Sequence, residues 1–377
     1  MKILRFLQRR GPLLVRGREV SSIFKCVSHN GVNNNDDDNN NNNNSKEIRR
    51  IVSGIQPTGT MHLGNYLGAI KNWVELQNTC EAEILYIIVD LHSITTPQDP
   101  QELKQSVKNM AISLLACGVD PDRSIIFKQS EVSQHAELAW ILSCITPLGI
   151  LNRMHQWKSK TEGNKEQQCL GLYAYPVLMG ADILLYRASH VPVGDDQLQH
   201  LELARELARI FNNSYGKFFS SPQPILGKMT RVMSLRDATK KMSKSDSNHF
   251  SRIELSDTPD TIKLKIQKSI TDSDNHISYD PVGRPGVSNL IDIYCALSEE
   301  TMETICSRYQ NIERFKSVFK KDLSDLIVQK LSPVRQEIEK LTQQDWYVEE
   351  ILEKGAAKAY ELADVTMSDV KTLVGFK

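Results

Sequence analysis

Between residues 51 and 127, short apolar runs alternate with amphipathic helical patterns, and this alternation restricts the fold more than any other feature of the chain. The runs are Ile51-Val52-Ser53-Gly54-Ile55, Ile84 to Val89 (ending at Asp90), and Ser124 to Phe127. Between them, Leu63, Leu67, Ile70 and Val74 share one helical face, and Val107, Met110, Ala111, Leu114 and Leu115 share another. Runs of this kind read as strands buried in a parallel sheet, and their alternation with helices predicts an α/β domain with a doubly wound parallel sheet. Ligands of such sheets sit outside the carboxyl ends of the strands. Gln56, His92 and Gln129 lie where their strands end. Beyond Lys241 strand character fades, and helical patterns such as 262–270 and 323–341 predict an α-helical C-terminal domain.

Two segments about 180 residues apart carry the chemistry. His62-Leu63-Gly64-Asn65 follows the first strand and opens a helix, and a glycine-punctuated turn there lets a phosphate approach the free N–H groups of the helix start. Lys241-Met242-Ser243-Lys244-Ser245 offers two ammonium groups with hydroxyls on a polar loop. Brought together, they would grip a triphosphate from two sides, as an enzyme that activates a carboxylate with ATP requires. Taken singly, each has a plainer reading: Gly64 and Gly68 as close-packing glycines, Lys241 and Lys244 as part of a solvated loop.

HLGN resembles the HIGH signature and KMSKS the second signature of class I aminoacyl-tRNA synthetases. The longer runs Gly54 to Ala69, Val89 to Thr95, Tyr175 to Tyr186, Val191 to Gln197 and Arg231 to Leu235 resemble the tryptophanyl-tRNA synthetase family of bacteria and organelles. The similarity runs from about residue 49 to the C-terminus. It implies a Rossmann-type catalytic domain and a two-step reaction: tryptophan carboxylate attacks the α-phosphate of ATP, and the terminal ribose of tRNA(Trp) then attacks the adenylate. Phosphoryl transfer depends on charge stabilisation and alignment more than on covalent help. The resemblance therefore implies catalytic roles for Lys241, Lys244, His62 and Asn65. It places ATP against Gln56, Pro57, Thr58, Gly64, Asn65, Gly194, Asp195, Asp196, Val232, Lys241, Met242, Ser243, Lys244 and Ser245. Magnesium is expected to arrive with ATP, since no carboxylate cluster suited to a protein-built site is evident. The family also implies a homodimer and a mobile basic loop near Lys158 to Gln168.

Specificity is expected on the helix carrying Tyr175, Met179 and Asp182, which share one face with Tyr186. An acid among Leu178, Ile183, Leu184 and Leu185 is costly to bury unpaired. One reading pairs Asp182 with a neighbouring arginine such as Arg187. The reading that the resemblance implies has Asp182 accept the indole N–H of tryptophan, with Met179 and Tyr175 as walls and His92 and Gln197 on the amino-acid side. Tyr175 could also hold the ammonium group. A ligand without that N–H would strip the acid of its partner, and selection of this type reaches roughly 10⁴-fold. Gly180 stands where the family more often has Ala, at about 1 kcal/mol of helix propensity.

The first 28 residues contain Lys2, Arg5, Arg9, Arg10, Arg16, Arg18 and Lys25 against Glu19 alone, with apolar residues interspersed. This composition reads as a mitochondrial transit peptide, and the matrix as the destination; the alternative is a basic arm that touches RNA. Residues 33–44 are only Asn and Asp, so 29–46 reads as a disordered spacer. The catalytic domain is placed at 47–240, and the KMSKS loop with a helical anticodon-binding domain at 241–377. Net charge is zero, but residues 231–268 hold nine Lys or Arg against five Asp or Glu, either a tRNA-facing patch or a solvated face. Seven scattered cysteines without a CxxC pair argue against a zinc or iron–sulfur site. No apolar stretch is long enough to span a membrane. Rival readings are a tyrosyl-tRNA synthetase, a catalytically silent RNA-binding paralogue, and another nucleotidyltransferase.

Overall fold

The apolar runs form β1 (Arg50–Ile55), β2 (Glu83–Ile88) and β3 (Ser124–Lys128), joined by the shorter β4 (His190–Val193) and β5 (Gln223–Leu226). All pair in parallel, in the order β3-β2-β1-β4-β5. The computed structural model describes residues 49–57, 59–154, 169–194, 198–226, 231–244 and 246–377. Residues 48–377 form one compact unit. The N-terminal segment and spacer, and the loop from Lys158 to Gln168, lie outside the described residues.

Side-chain alternation explains why the strands are apolar throughout. Ile84, Tyr86 and Ile88 enter one core, while Leu85 and Ile87 enter another on the opposite face of the sheet. The helices that cover these faces are, in chain order, α1 (Leu63–Asn65), running through a π-helical stretch at Tyr66–Ile70 into α2 (Lys71–Thr79), α3 (Asp90–Ser93), α4 (Pro100–Ala116), α5 (Gln134–Ile145), α6 (Leu148–Leu151), α7 (Leu170–Leu184) and α8 (Leu198–Tyr215). Beyond the KMSKS segment come α9 (Pro259–Gln267), α10 (Pro285–Ser298), α11 (Met302–Tyr309), α12 (Phe315–Thr342) and α13 (Asp345–Leu373). The first core holds Trp73, Met110, Leu114, Ile262, Ile266, Leu323 and Ile327; the second holds Leu138, Val177, Ala181, Leu207, Ala359 and Val370. The C-terminal helices thus build both cores together with the sheet.

Two glycines mark close approaches. A Cβ on Gly180 would lie 2.5 Å from Leu207 Cδ1, so the missing methyl group lets α8 press onto α7. That contact offsets the propensity cost of a mid-helix glycine. A Cβ on Gly355 would lie 1.9 Å from the Ile126 carbonyl oxygen. There α13 rests on the backbone of β3, the edge strand, with Val348 and Leu352 in one core and Ala359 and Ala363 in the other.

The strand order reverses direction between β1 and β4, and the carboxyl ends of these two strands define the crevice where ligands of such sheets bind. β1 leads into Gln56, Pro57 and the HLGN turn; β4 leads into Gly194.

Because a Gly355→Ala methyl would meet backbone rather than a flexible side chain, that variant is expected to lose at least about 3 kcal/mol of stability, at the upper end of overpacking costs. Thermal or urea unfolding of the purified variant against the wild type measures this.

Candidate functional site

The two signature segments meet through backbone hydrogen bonds. Leu63 N–H donates to Ile253 O (2.8 Å) and Leu255 N–H donates to Met61 O (3.0 Å), which lays the segment after the KMSKS loop along the HLGN turn. Met242 N–H donates to Val232 O (3.0 Å) and Ser234 N–H to Lys240 O (2.8 Å), so the KMSKS loop is one arm of a hairpin. Asn289 of α10 fixes the other arm: it accepts from Met233 N–H at 2.8 Å and donates to Met233 O at 3.0 Å. Lys244 Nζ donates to Gly59 O at 3.2 Å, across the gap between the two segments. Gly59 itself has φ +55°, a turn that glycine adopts without strain.

His62 is buried at the centre of this cluster. Its ring lies against Gly64, where a Cβ would come within 3.0 Å of two ring atoms, and Met242 Cβ would be 3.6 Å away. Gly64 therefore makes room for the imidazole of its own turn. Burial, reinforced by Lys244, Arg252 and Lys241, lowers the His62 pKa to about 4. At neutral pH the ring is uncharged, and its Nδ1 has no hydrogen-bond partner among the described residues. Asn65 Oδ1 accepts the His62 N–H at 3.2 Å, tightening the turn. Lys244 is lowered to about 8, burial outweighing the attraction of Glu254. Lys241 is exposed, while Met242 and Val232 are buried.

Arg252 has no counterpart in the motifs, yet it ties the loop together. Its guanidinium donates to Glu254 Oε1 (3.0 Å) and to Asp246 O (2.9 Å), and lies 3.2 Å from His249 Nδ1. Gln56 is exposed and donates to His92 O at 3.4 Å; Pro57 and Gly194 are buried beside the crevice. Thr58, Asp195, Asp196, Gln197 and Ser245 lie outside the described residues.

Asp182 forms a second cluster at the ends of β2 and β3. Its Oδ1 accepts from Gln129 Nε2 (2.6 Å) and His135 Nδ1 (2.7 Å), and its Oδ2 from His92 Nε2 (2.8 Å). The Gln129 amide has no freedom to flip, because its Oε1 accepts the Leu91 N–H at 3.2 Å. Asp90 holds the two strand ends together, accepting from Ser130 N–H at 2.9 Å and from Leu91 N–H at 3.0 Å. Burial alone would raise the Asp182 pKa, but the hydrogen bonds from His135 and His92 outweigh it and hold the acid at about 2. Arg187 is not its partner: that guanidinium lies over the Phe218 ring, 5.0 Å from its centroid. Nor would a missing indole strip the acid bare, since three donors already face it. A carboxylate offers about four acceptor sites, so one remains, on Oδ2.

Tyr175 and Met179 flank Asp182 on α7, half-buried. The Tyr175 hydroxyl lies 3.3 Å from His200 Nε2, and its ring is edge-on to His92. Burial pushes the Tyr175 hydroxyl up to about 12. His135 and His200 escape sequence reasoning because nothing in their spacing links them to α7. Part of the basic run at 231–268 is engaged within the fold. Lys265 is buried against Asp257 (2.6 Å), Lys263 pairs with Asp325 (3.3 Å), and Lys268 lies over the Phe250 ring at 4.6 Å.

Comparison with known proteins gives this geometry a family. The family model described as tRNA synthetases class I (W and Y) matches residues 43–332. A tryptophan–tRNA ligase of Rickettsia bellii is 48% identical over 330 residues, covering 87% of this chain and 99% of that one. The chain belongs to the class I tryptophan–tRNA ligases. The synthetase fold extends to solved structures: a tryptophanyl-tRNA synthetase from Mycoplasma pneumoniae aligns with TM-score 0.76 and 34% identity over 87% of this chain and 98% of that one. The Campylobacter jejuni enzyme, solved with ADP and tryptophan, aligns with TM-score 0.74 and 34% identity over 86% and 99%. As a ligase that forms aminoacyl-tRNA, this synthetase handles polyanions.

The depressed pKa of His62 has a sign that can be tested. Unfolded chains bind more protons than the native ligase between pH 6.5 and about 4, so this histidine's contribution to stability falls as pH drops through that window. NMR of the imidazole is expected to show His62 neutral above pH 5, with its titration moved upward when pyrophosphate is added.

Proposed function

We propose that this chain charges mitochondrial tRNA(Trp) with L-tryptophan, through tryptophanyl-adenylate formed from ATP. The observation that carries the reading is Asp182: a buried carboxylate with one acceptor left, on the helix face shared with Met179 and Tyr175, at the carboxyl ends of the strands. Indole is a flat apolar group with one N–H donor, and this set of residues matches it.

In the first step tryptophan lies with its N–H on Asp182 Oδ2 and its ring against Met179. His92, Gln197 and Tyr175 line the amino-acid side. ATP lies across the HLGN turn, its adenosine near Gly194, Asp196 and the Val232 backbone, its phosphates between the turn and the KMSKS loop. Asn65 and the neutral His62 act as hydrogen-bonding groups. Lys244 and Lys241 neutralise the charge that grows on the leaving pyrophosphate, with Ser243 and Ser245 hydrogen-bonding phosphate oxygens. Magnesium accompanies the ATP phosphates; among the described residues no group of three or more His, Cys, Asp or Glu is placed to hold a metal ion. In the second step the ribose of tRNA attacks the adenylate.

The organellar setting rests on the basic, nearly acid-free first 28 residues, and the family match begins only at residue 43. A homodimer is supported by exposed Ile94, Trp140, Leu148 and Leu170. Three of these belong to segments that bond to one another, Tyr173 hydroxyl to Leu148 O and Cys169 Sγ to Thr95 O. No helix among the described residues is long and apolar enough to cross a membrane.

ATP–pyrophosphate exchange, with each of the twenty amino acids offered separately, tests the substrate. Exchange with tryptophan alone is expected; exchange with tyrosine, or none from folded protein, sinks the proposal. Lys244→Ala is expected to slow adenylate formation by roughly 10²-fold, as removing a transition-state charge partner does, and to leave tryptophan affinity within about twofold. In wild-type protein the KM for ATP should rise as pH climbs through about 8, where Lys244 loses its proton in the free enzyme. Edman sequencing of protein isolated from the organelle should begin near Ser45; an intact Met1 in the matrix rules out the transit peptide.

A further inference from the structure

We propose that His135 and Tyr186 are positioning residues for amino-acid selection: His135, oriented by Tyr186, shares Oδ1 of Asp182 with Gln129, so that Oδ2 alone offers an acceptor to the substrate. The proposal rests on the reading of Asp182 as the indole acceptor and adds to it two residues that touch no substrate.

Both side chains are completely buried. His135 Nδ1 lies 2.7 Å from Asp182 Oδ1 and His135 Nε2 lies 2.8 Å from the Tyr186 hydroxyl oxygen. The two rings stand 5.4 Å apart, with Phe127 at 6.0 and 5.8 Å from them. In such surroundings a hydroxyl needs a partner. Donation from Tyr186 O–H to Nε2 puts the imidazole proton on Nδ1, pointing at the carboxylate. The opposite tautomer would set a nitrogen lone pair against a carboxylate lone pair. Burial, with the Asp182 charge second, keeps the Tyr186 hydroxyl protonated far beyond the ordinary range, so it keeps a proton to donate.

The groups facing Asp182 are His92 from α3, Gln129 from the turn after β3, His135 from α5, and Tyr186 behind His135; the Tyr175–His200 pair stands beside them. Gln129 and His135 together fill Oδ1. Without His135 both oxygens would have a vacant acceptor site, so the direction of the substrate N–H would no longer be unique. The acid would also lose the hydrogen bond that does most to keep it ionised.

The test is kcat/KM in pyrophosphate exchange for tryptophan and for its benzothienyl isostere, in which sulfur replaces N–H, from pH 5 to 9. In wild type the tryptophan-to-isostere ratio should exceed one and stay flat with pH. His135→Leu is expected to lower that ratio by roughly tenfold, the scale of one buried hydrogen bond to a charge, and the loss should deepen toward pH 5. His135→Asn, whose amide N–H stands near the place of Nδ1–H, should recover most of the ratio. Tyr186→Phe, which keeps the buried ring, should lower it about threefold, a fraction of one buried hydrogen bond. A folded His135→Leu with the wild-type ratio at every pH overturns the positioning role, and if that variant does not fold, an unchanged ratio in Tyr186→Phe does so instead. A wild type that treats the two substrates alike overturns the reading of Asp182 on which the proposal rests.

Discussion

Asp182 is a negative charge almost wholly removed from solvent, and the arrangement around it follows from that. A buried carboxylate persists as an ion only when donors saturate it. Here they come from the end of β2, the turn after β3, the first turn of α5 and, one bond removed, Tyr186 just past α7. Segments separated by up to 90 residues are brought into register by a single ion. Asp90 repeats the device on a smaller scale between the two strand ends.

The cluster around His62 is organised in the opposite way, by cations held close together. His62 gives up its charge and Lys244 holds its own less firmly than usual, because burial and the surrounding cations work against both. Backbone bonds between 61–63 and 253–255, with Asn289 gripping Met233, keep these groups from drifting apart. Such a cluster stores like-charge repulsion, which any nearby anion would relieve. The helical half contributes directly: α10 supplies the clamp on the hairpin that carries the lysines.

Much of this was legible in the residues. The three apolar runs became β1, β2 and β3, with side chains buried on both faces of the sheet, and HLGN and KMSKS carried the resemblance to the family to which the chain belongs. The short strands β4 and β5 were harder to see, since four residues containing a proline carry little periodicity. The Asp182 cluster was half visible. Its helix face could be counted along the chain, but His135 reaches it only through the tertiary fold. Arg252 was likewise silent, because an arginine that bonds carbonyls and one glutamate looks in sequence like any surface arginine. The run of lysines near α9 left two readings open: charge counted along the chain does not show that Lys265 is already buried against Asp257.

The passage of α13 over β3 also bears on how the chain matures. β3 is an edge strand, and unpaired edges are templates for aggregation. Its cover comes from the last stretch of the polypeptide, through Gly355 and the alanines that follow. In a chain still being synthesised, that helix emerges after every strand of the sheet. The sheet therefore assembles with one flank bare until α13 arrives to cover it. α13 is in this sense a clasp, fastened across an edge that the strands alone leave open.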